Sequence, residues 1–118
     1  MPEHNEIRLE KHSTVTVFCI EGDVTAFSEP FLNTAYQKAN EQGAKKILLK
    51  FDKDAYINSG GIAVLIQILA ETRRNNQDTA ITGVSDHFKK IFHMVGITKF
   101  AKIFNTLEEA LALMTKES

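Results

Sequence analysis

Two hydrophobic rhythms run along the chain, one of period two and one near 3.6, and they exchange in a regular order. Ile7 and Leu9 alternate with Arg8 and Glu10, which predicts a strand with one buried face at a sheet edge. After a polar break at His12–Ser13, the run Thr14–Ile20 carries bulky groups on both faces, Val15, Val17 and Cys19 against Phe18 and Ile20. A strand buried on both sides belongs inside a sheet, and the short connection pairs it antiparallel with the first. Ser28 and Pro30 suit the start of a helix whose apolar stripe is Phe31, Leu32, Ala35, Tyr36 and Ala39, with Gly43 as its stop. Lys45–Asp52 reads as a third strand, with Ile47, Leu49 and Phe51 on one face.

The stretch Tyr56–Leu69 follows, and the rest of the chain is organised around it. Ile62, Leu65, Ile66 and Leu69 fall at helical spacing, and Ser59 stands just ahead of them as the predicted N-cap. Thr79–Val84 is a short fourth strand. Ser85 opens a helix carrying Phe88, Ile91, Phe92 and Val95, closed by Gly96. Phe100–Phe104 reads as a short fifth strand. Thr106 with Glu109, or Asn105 with Glu108, fits a capping box before a last helix bearing Leu107, Ala110, Leu111 and Met114.

A hairpin followed by alternating helices and strands predicts an α/β domain. Its sheet has four or five strands, mixed but mostly parallel, packed with about four helices. The domain spans residues 6–116, behind a loose polar segment at residues 1–5. Sites in such sheets form beyond the carboxyl ends of the strands. The loops Gly22–Thr25 and Lys53–Ser59 both qualify, so Asp23 and Ser59 are expected on one rim.

Composition narrows the function. In 118 residues, fourteen basic and fifteen acidic side chains give a net charge of −1, which advertises neither nucleic acid nor an anionic membrane surface. No apolar run approaches the ~20 residues of a membrane span, and the N-terminus lacks a signal pattern. The single cysteine, Cys19, excludes an internal disulfide, reads as a small core hydrophobe, and points with the rest to the cytoplasm.

Catalytic and cofactor patterns are missing. The sequence around Gly60-Gly61 has neither the spacing nor the lysine of a phosphate-binding loop. Ile57 stands where a hydrolase elbow G-x-S-x-G needs its first glycine. His4, His12, His87 and His93 show no metal-ligand spacing. Asp52 ends a strand as a receiver-domain phosphoacceptor would, but the acidic pair that a receiver gathers after its first strand to hold a divalent cation is absent. It reads as a carboxylate that orders the following loop. No catalytic, cofactor or metal residue is assigned.

Ser59 is different in kind. Its hydroxyl stands at the positive end of a helix, beside two glycines that cannot shield it, where an attached phosphate meets N–H donors and a favourable field. On local pattern alone, a structural cap is the commoner role for such a serine.

The element order, the Gly22-Asp23-Val24-Thr25 turn after the second strand, and Asn58-Ser59-Gly60-Gly61 opening the second long helix together resemble the STAS domain. That family includes bacterial anti-sigma-factor antagonists and the cytoplasmic modules of sulfate transporters. The likeness covers residues 5–115, and its most specific part is KKILLKFDKDAYINSGGIAVLI. The resemblance implies that Ser59 is a phosphoacceptor and that Asp23, Thr25, Asn58, Gly60 and Gly61 border a partner surface. The partner implied is an anti-sigma factor that is also the serine kinase and holds the ATP. The chain itself is then a binding module and not an enzyme. Three departures accompany the match: Ile57 stands where antagonists usually carry aspartate, Gly61-Ile62 changes the first turn of the helix, and Thr25 replaces an acid. The alternative is a constitutive STAS scaffold in a transporter or sensory complex, with Ser59 acting only as a cap.

Overall fold

The computed structural model describes residues 5–116. Its strands are β1 (Glu6–His12), β2 (Val15–Glu21), β3 (Lys46–Phe51), β4 (Asp78–Thr82) and β5 (Lys102–Phe104). Its helices are α1 (Glu29–Glu41), α2 (Ser59–Arg74), α3 (Asp86–Met94) and α4 (Leu107–Lys116), with single 3₁₀ turns at Ala26–Ser28 and Ile97–Lys99. The five strands form one sheet in sequence order; β1 runs antiparallel to β2, and every other pair is parallel. The predicted mixed, mostly parallel sheet and four helices are present.

The alternation along each strand sorts side chains into two cores. Phe18, Ile20, Ile47, Leu49, Phe51 and Ile81 face the helices α1, α2 and α3. Val15, Val17, Cys19, Leu48 and Ala80 face the opposite side, where Ala110, Leu107, Leu111 and Met114 of α4 cover them. Val15 through Ile20 are all buried, as a strand flanked by two layers requires.

Helix α2 is the central packing element of the larger core. Its buried positions are Gly61, Val64, Leu65, Ile68, Leu69 and Thr72. Each fully buried leucine there contributes about 1.5–3 kcal/mol. The predicted stripe through Ile62 and Ile66 is rotated by about one residue, and those two side chains are only half-buried. In α1, Leu32, Ala35, Tyr36 and Ala39 are buried as expected, whereas Phe31 is 37% exposed.

Several ends differ from the sequence reading. Ser28 makes no side-chain cap on α1; its Oγ accepts from the N–H of Thr25 (3.0 Å) and closes the 3₁₀ turn before it. Asn5 is not loose: it is buried, and its Nδ2 donates to the carbonyls of Glu21 (3.0 Å) and Asp23 (2.8 Å). Residues 1–4 of the expected loose segment lie outside the described residues. Ser85 caps α3 through the N–H of Phe88 (3.3 Å) as predicted. At α4, Thr106 Oγ1 accepts from the N–H of Glu109 (3.0 Å), while the Glu109 carboxylate accepts from the N–H of Asn105 (3.1 Å).

Candidate functional site

Because β2 and β3 are parallel neighbours, the loops that leave them emerge at the same end of the sheet. They also continue to pair. Val24 and Ile57 form a parallel bridge, in which Val24 donates to the carbonyl of Tyr56 (2.9 Å) and Asn58 donates to the carbonyl of Val24 (3.2 Å). Two carboxylates stitch the same loops. Asp23 Oδ1 accepts from the N–H of Tyr56 (2.9 Å), and Asp52 Oδ2 accepts from the N–H of Gly22 (3.2 Å). Asp52 thus orders loops, as its position at a strand end suggests. Asp23 and Ser59 do share one rim.

Ser59 is the first residue of α2 and is exposed. It is not the N-cap. Asn58 holds that position: its backbone is extended and its Oδ1 accepts from the N–H of Gly61 (2.9 Å). The correction matters chemically. A serine in the cap position would spend its oxygen on the helix, whereas Asn58 takes that work and leaves the Ser59 hydroxyl outside. Among the described residues, the N–H groups of Ser59 and Gly60 have no protein acceptor, so the helix start retains donors for an anion.

The two glycines act by close approach. A Cβ on Gly61 would stand 2.1 Å from the carbonyl oxygen of Val24, and one on Gly60 would stand 3.0 Å from both Cβ and N of Ala26. The first turn of α2 therefore lies directly on the β2–α1 loop. Gly61 is buried and offers no surface to a partner, contrary to its expected place there. Gly60 is half-buried. Thr25 is fixed as the cap of the 3₁₀ turn, with Oγ1 accepting from the N–H of Phe27 (3.1 Å). Ile57, at the position of the family's usual aspartate, is 3% exposed and belongs to the core.

Two aromatic side chains stand on this rim without any periodicity that marks them. Phe27 is 70% exposed and Tyr56 is 59% exposed. Tyr56 rests edge-on against Phe88, with ring centroids 5.8 Å apart. One signal did exist for Gly61. Extending the buried stripe back from Thr72 through Leu69, Ile68, Leu65 and Val64 lands on that glycine, and glycine on a buried face marks a close backbone approach.

Ser59, Asp23 and Asn58 do not line the clefts of about 700, 630 and 220 Å³ found elsewhere on the described surface. Among the described residues, no group of three or more His, Cys, Asp or Glu side chains could hold a metal ion. No described helix is long and apolar enough to cross a membrane. What remains is an exposed hydroxyl on a rigid rim.

Comparison with known proteins places this geometry. The family profile of the STAS domain matches residues 6–110. An anti-sigma-B factor antagonist of Staphylococcus aureus is 22% identical over 78 residues, covering 66% of this chain and 72% of that protein. The crystal structure of an anti-sigma factor antagonist from Mycobacterium paratuberculosis superposes with a TM-score of 0.75 at 18% identity, covering 92% of both chains. The Bacillus cell fate determinant SpoIIAA, solved in a phosphorylated form, gives a TM-score of 0.66 at 18% identity, covering 92% of this chain and 99% of that one.

Proposed function

The chain belongs to the STAS domain family, and on that premise we propose that it is an anti-sigma-factor antagonist that works in the cytoplasm. In this reading it binds an anti-sigma factor through the rim around Ser59, and phosphorylation of Ser59 releases it. The observation that carries the reading is the free Ser59 hydroxyl at the start of α2, left outside because Asn58 makes the cap. Similarity to proteins named as antagonists, and to one solved in a phosphorylated form, supports it. Asp23, Thr25, Asn58 and Gly60 border the contact.

Energetics favour release over unfolding. A phosphoserine adds about −1.5 to −2 charges and three acceptor oxygens. At a helix N-terminus that charge is stabilising by ~0.3–1 kcal/mol, so the modified domain stays folded. Inside a contact the same dianion must lose water, which costs several kcal/mol unless it is fully paired. The partner is the kinase: the γ-phosphoryl group of its ATP passes to Ser59 Oγ, and ADP and the hydroxyl proton leave.

The test uses three proteins and the purified anti-sigma factor recovered by affinity capture with the parent chain. By calorimetry, Ser59→Ala binds like the parent and takes no phosphate, and Ser59→Asp binds more weakly. The alternative reading, a constitutive scaffold, draws on Ile57 lying buried where antagonists carry aspartate. It requires equal affinities for all three proteins, and that result would end the phosphoswitch.

A further inference from the structure

Resting on the reading that this rim meets a protein partner, we infer that Phe27 is the apolar anchor of the contact. It inserts into a socket that the partner lines with apolar side chains and surrounds with basic ones.

Three observations converge on this residue. Phe27 is 70% exposed, more than any other aromatic side chain among the described residues whose exposure stands out. An isolated exposed hydrophobe is ordinary, but this one is held in place. It sits at the middle of the 3₁₀ turn Ala26–Ser28, which the reciprocal Thr25 and Ser28 bonds lock at both ends. The turn is in turn pressed onto α2, because Gly60 leaves no more than a Cβ's width above Ala26. Phe27 and Ser59 therefore project from one rigid body. A preformed aromatic loses little conformational freedom on binding, which is what makes such side chains dominate interfaces.

The surroundings define the occupant. Across the two rim loops, residues 22–29 and 52–59, the acidic and basic side chains are Asp23, Glu29, Asp52, Asp54 and Lys53. Four acids against one base, all exposed, call for basic groups opposite them. Tyr56 adds a second apolar surface, but its ring already leans on Phe88 and so has less to gain. The anchor also explains how a phosphate could act despite basic neighbours. Because the Phe27 turn packs on the first turn of α2, seating Phe27 carries Ser59 to the contact, where a phosphate must shed water.

The experiment compares Phe27→Ala and Phe27→Leu with the parent, using the purified anti-sigma factor captured by the parent chain. Phe27→Ala should weaken binding tenfold or more, on the order of a hot-spot truncation, with an unchanged thermal midpoint. Phe27→Leu should stay within about threefold, since it keeps an apolar insert. A benzophenone amino acid at position 27 should crosslink to the partner on irradiation. Association should slow as salt is raised, and a rate indifferent to salt removes the basic ring. Parent-like binding by Phe27→Ala overturns the anchor and leaves the phosphoswitch standing. A weakened Phe27→Ala beside a parent-like Ser59→Asp does the reverse. If the parent captures no partner, both fall. Should Phe27→Ala fail to fold, absence of the crosslink overturns the anchor.

Discussion

At the rim, Asn58 and Ser59 divide two tasks that a single residue could not perform together. Asn58 satisfies the Gly61 N–H, so Asn58→Ala should lower stability by about 0.5–2 kcal/mol, and Asn58→Asp should restore most of it. Ser59→Ala removes an exposed hydroxyl with no capping role and should change stability by less than about 0.5 kcal/mol. Urea midpoints of the three variants check the order. Gly61→Ala is the severe change, because its Cβ would meet the Val24 carbonyl at 2.1 Å and backbone must move to relieve it. Overpacking of that kind costs about 1–3 kcal/mol or more. Thermal melts should therefore rank Gly61→Ala below Asn58→Ala. These roles were only half legible in the sequence. Ser and Asn are equally good caps, and adjacent positions cannot be told apart until the backbone fixes which residue is extended. The place of Ser59 at the start of the helix was legible; the transfer of the capping bond to Asn58 was not.

Among the elements, those with long hydrophobic rhythms follow from the sequence, whereas the short turn before α1 does not. Strand β2 and helix α2 bury whole runs, so their identity follows from periodicity. The 3₁₀ turn at Ala26–Ser28 has three residues and no rhythm, and its lock depends on Thr25 and Ser28 meeting across the turn. Among the described helices, α4 alone covers the second sheet face. Ala110 is fully buried there with Val15, Val17, Leu48 and Ala80 in the same core, so Ala110→Leu should cost about 1–3 kcal/mol by overpacking. Ala112→Leu, on the exposed side, should be near neutral; chemical denaturation distinguishes the two. On β1, the Glu10 carboxylate is held below its usual range, first by its bond to His12 and then by Arg8. A lowered carboxyl value contributes stability above the ordinary carboxylate range, and that contribution is lost as pH falls through the lowered value. Glu10→Gln should therefore flatten the acid side of the stability profile slightly, as measured by denaturant midpoints across pH.

At the scale of the whole molecule, the two sheet faces are unequally dressed: among the described residues, three helices lie over one and a single helix over the other. Cys19 lies on the less covered side, 5% exposed, and burial pushes its thiol up, so it is neutral and shielded near neutral pH. An alkylating reagent should modify the native protein only through opening reactions. The rate should match that of amide exchange in β2 and rise steeply in urea; rapid native labelling would show that this face is open. The sheet order β1-β2-β3-β4-β5 carries a further consequence for a chain made from its N-terminus on a ribosome. Each strand as it emerges finds its neighbour already in place, so the sheet and its three-helix face can assemble vectorially. The cover for Val15, Val17 and Leu48 is encoded after all five strands, at Leu107–Lys116. Until α4 is made, the face bearing Val15, Val17 and Leu48 therefore stays bare, an apolar surface exposed on a partly built domain.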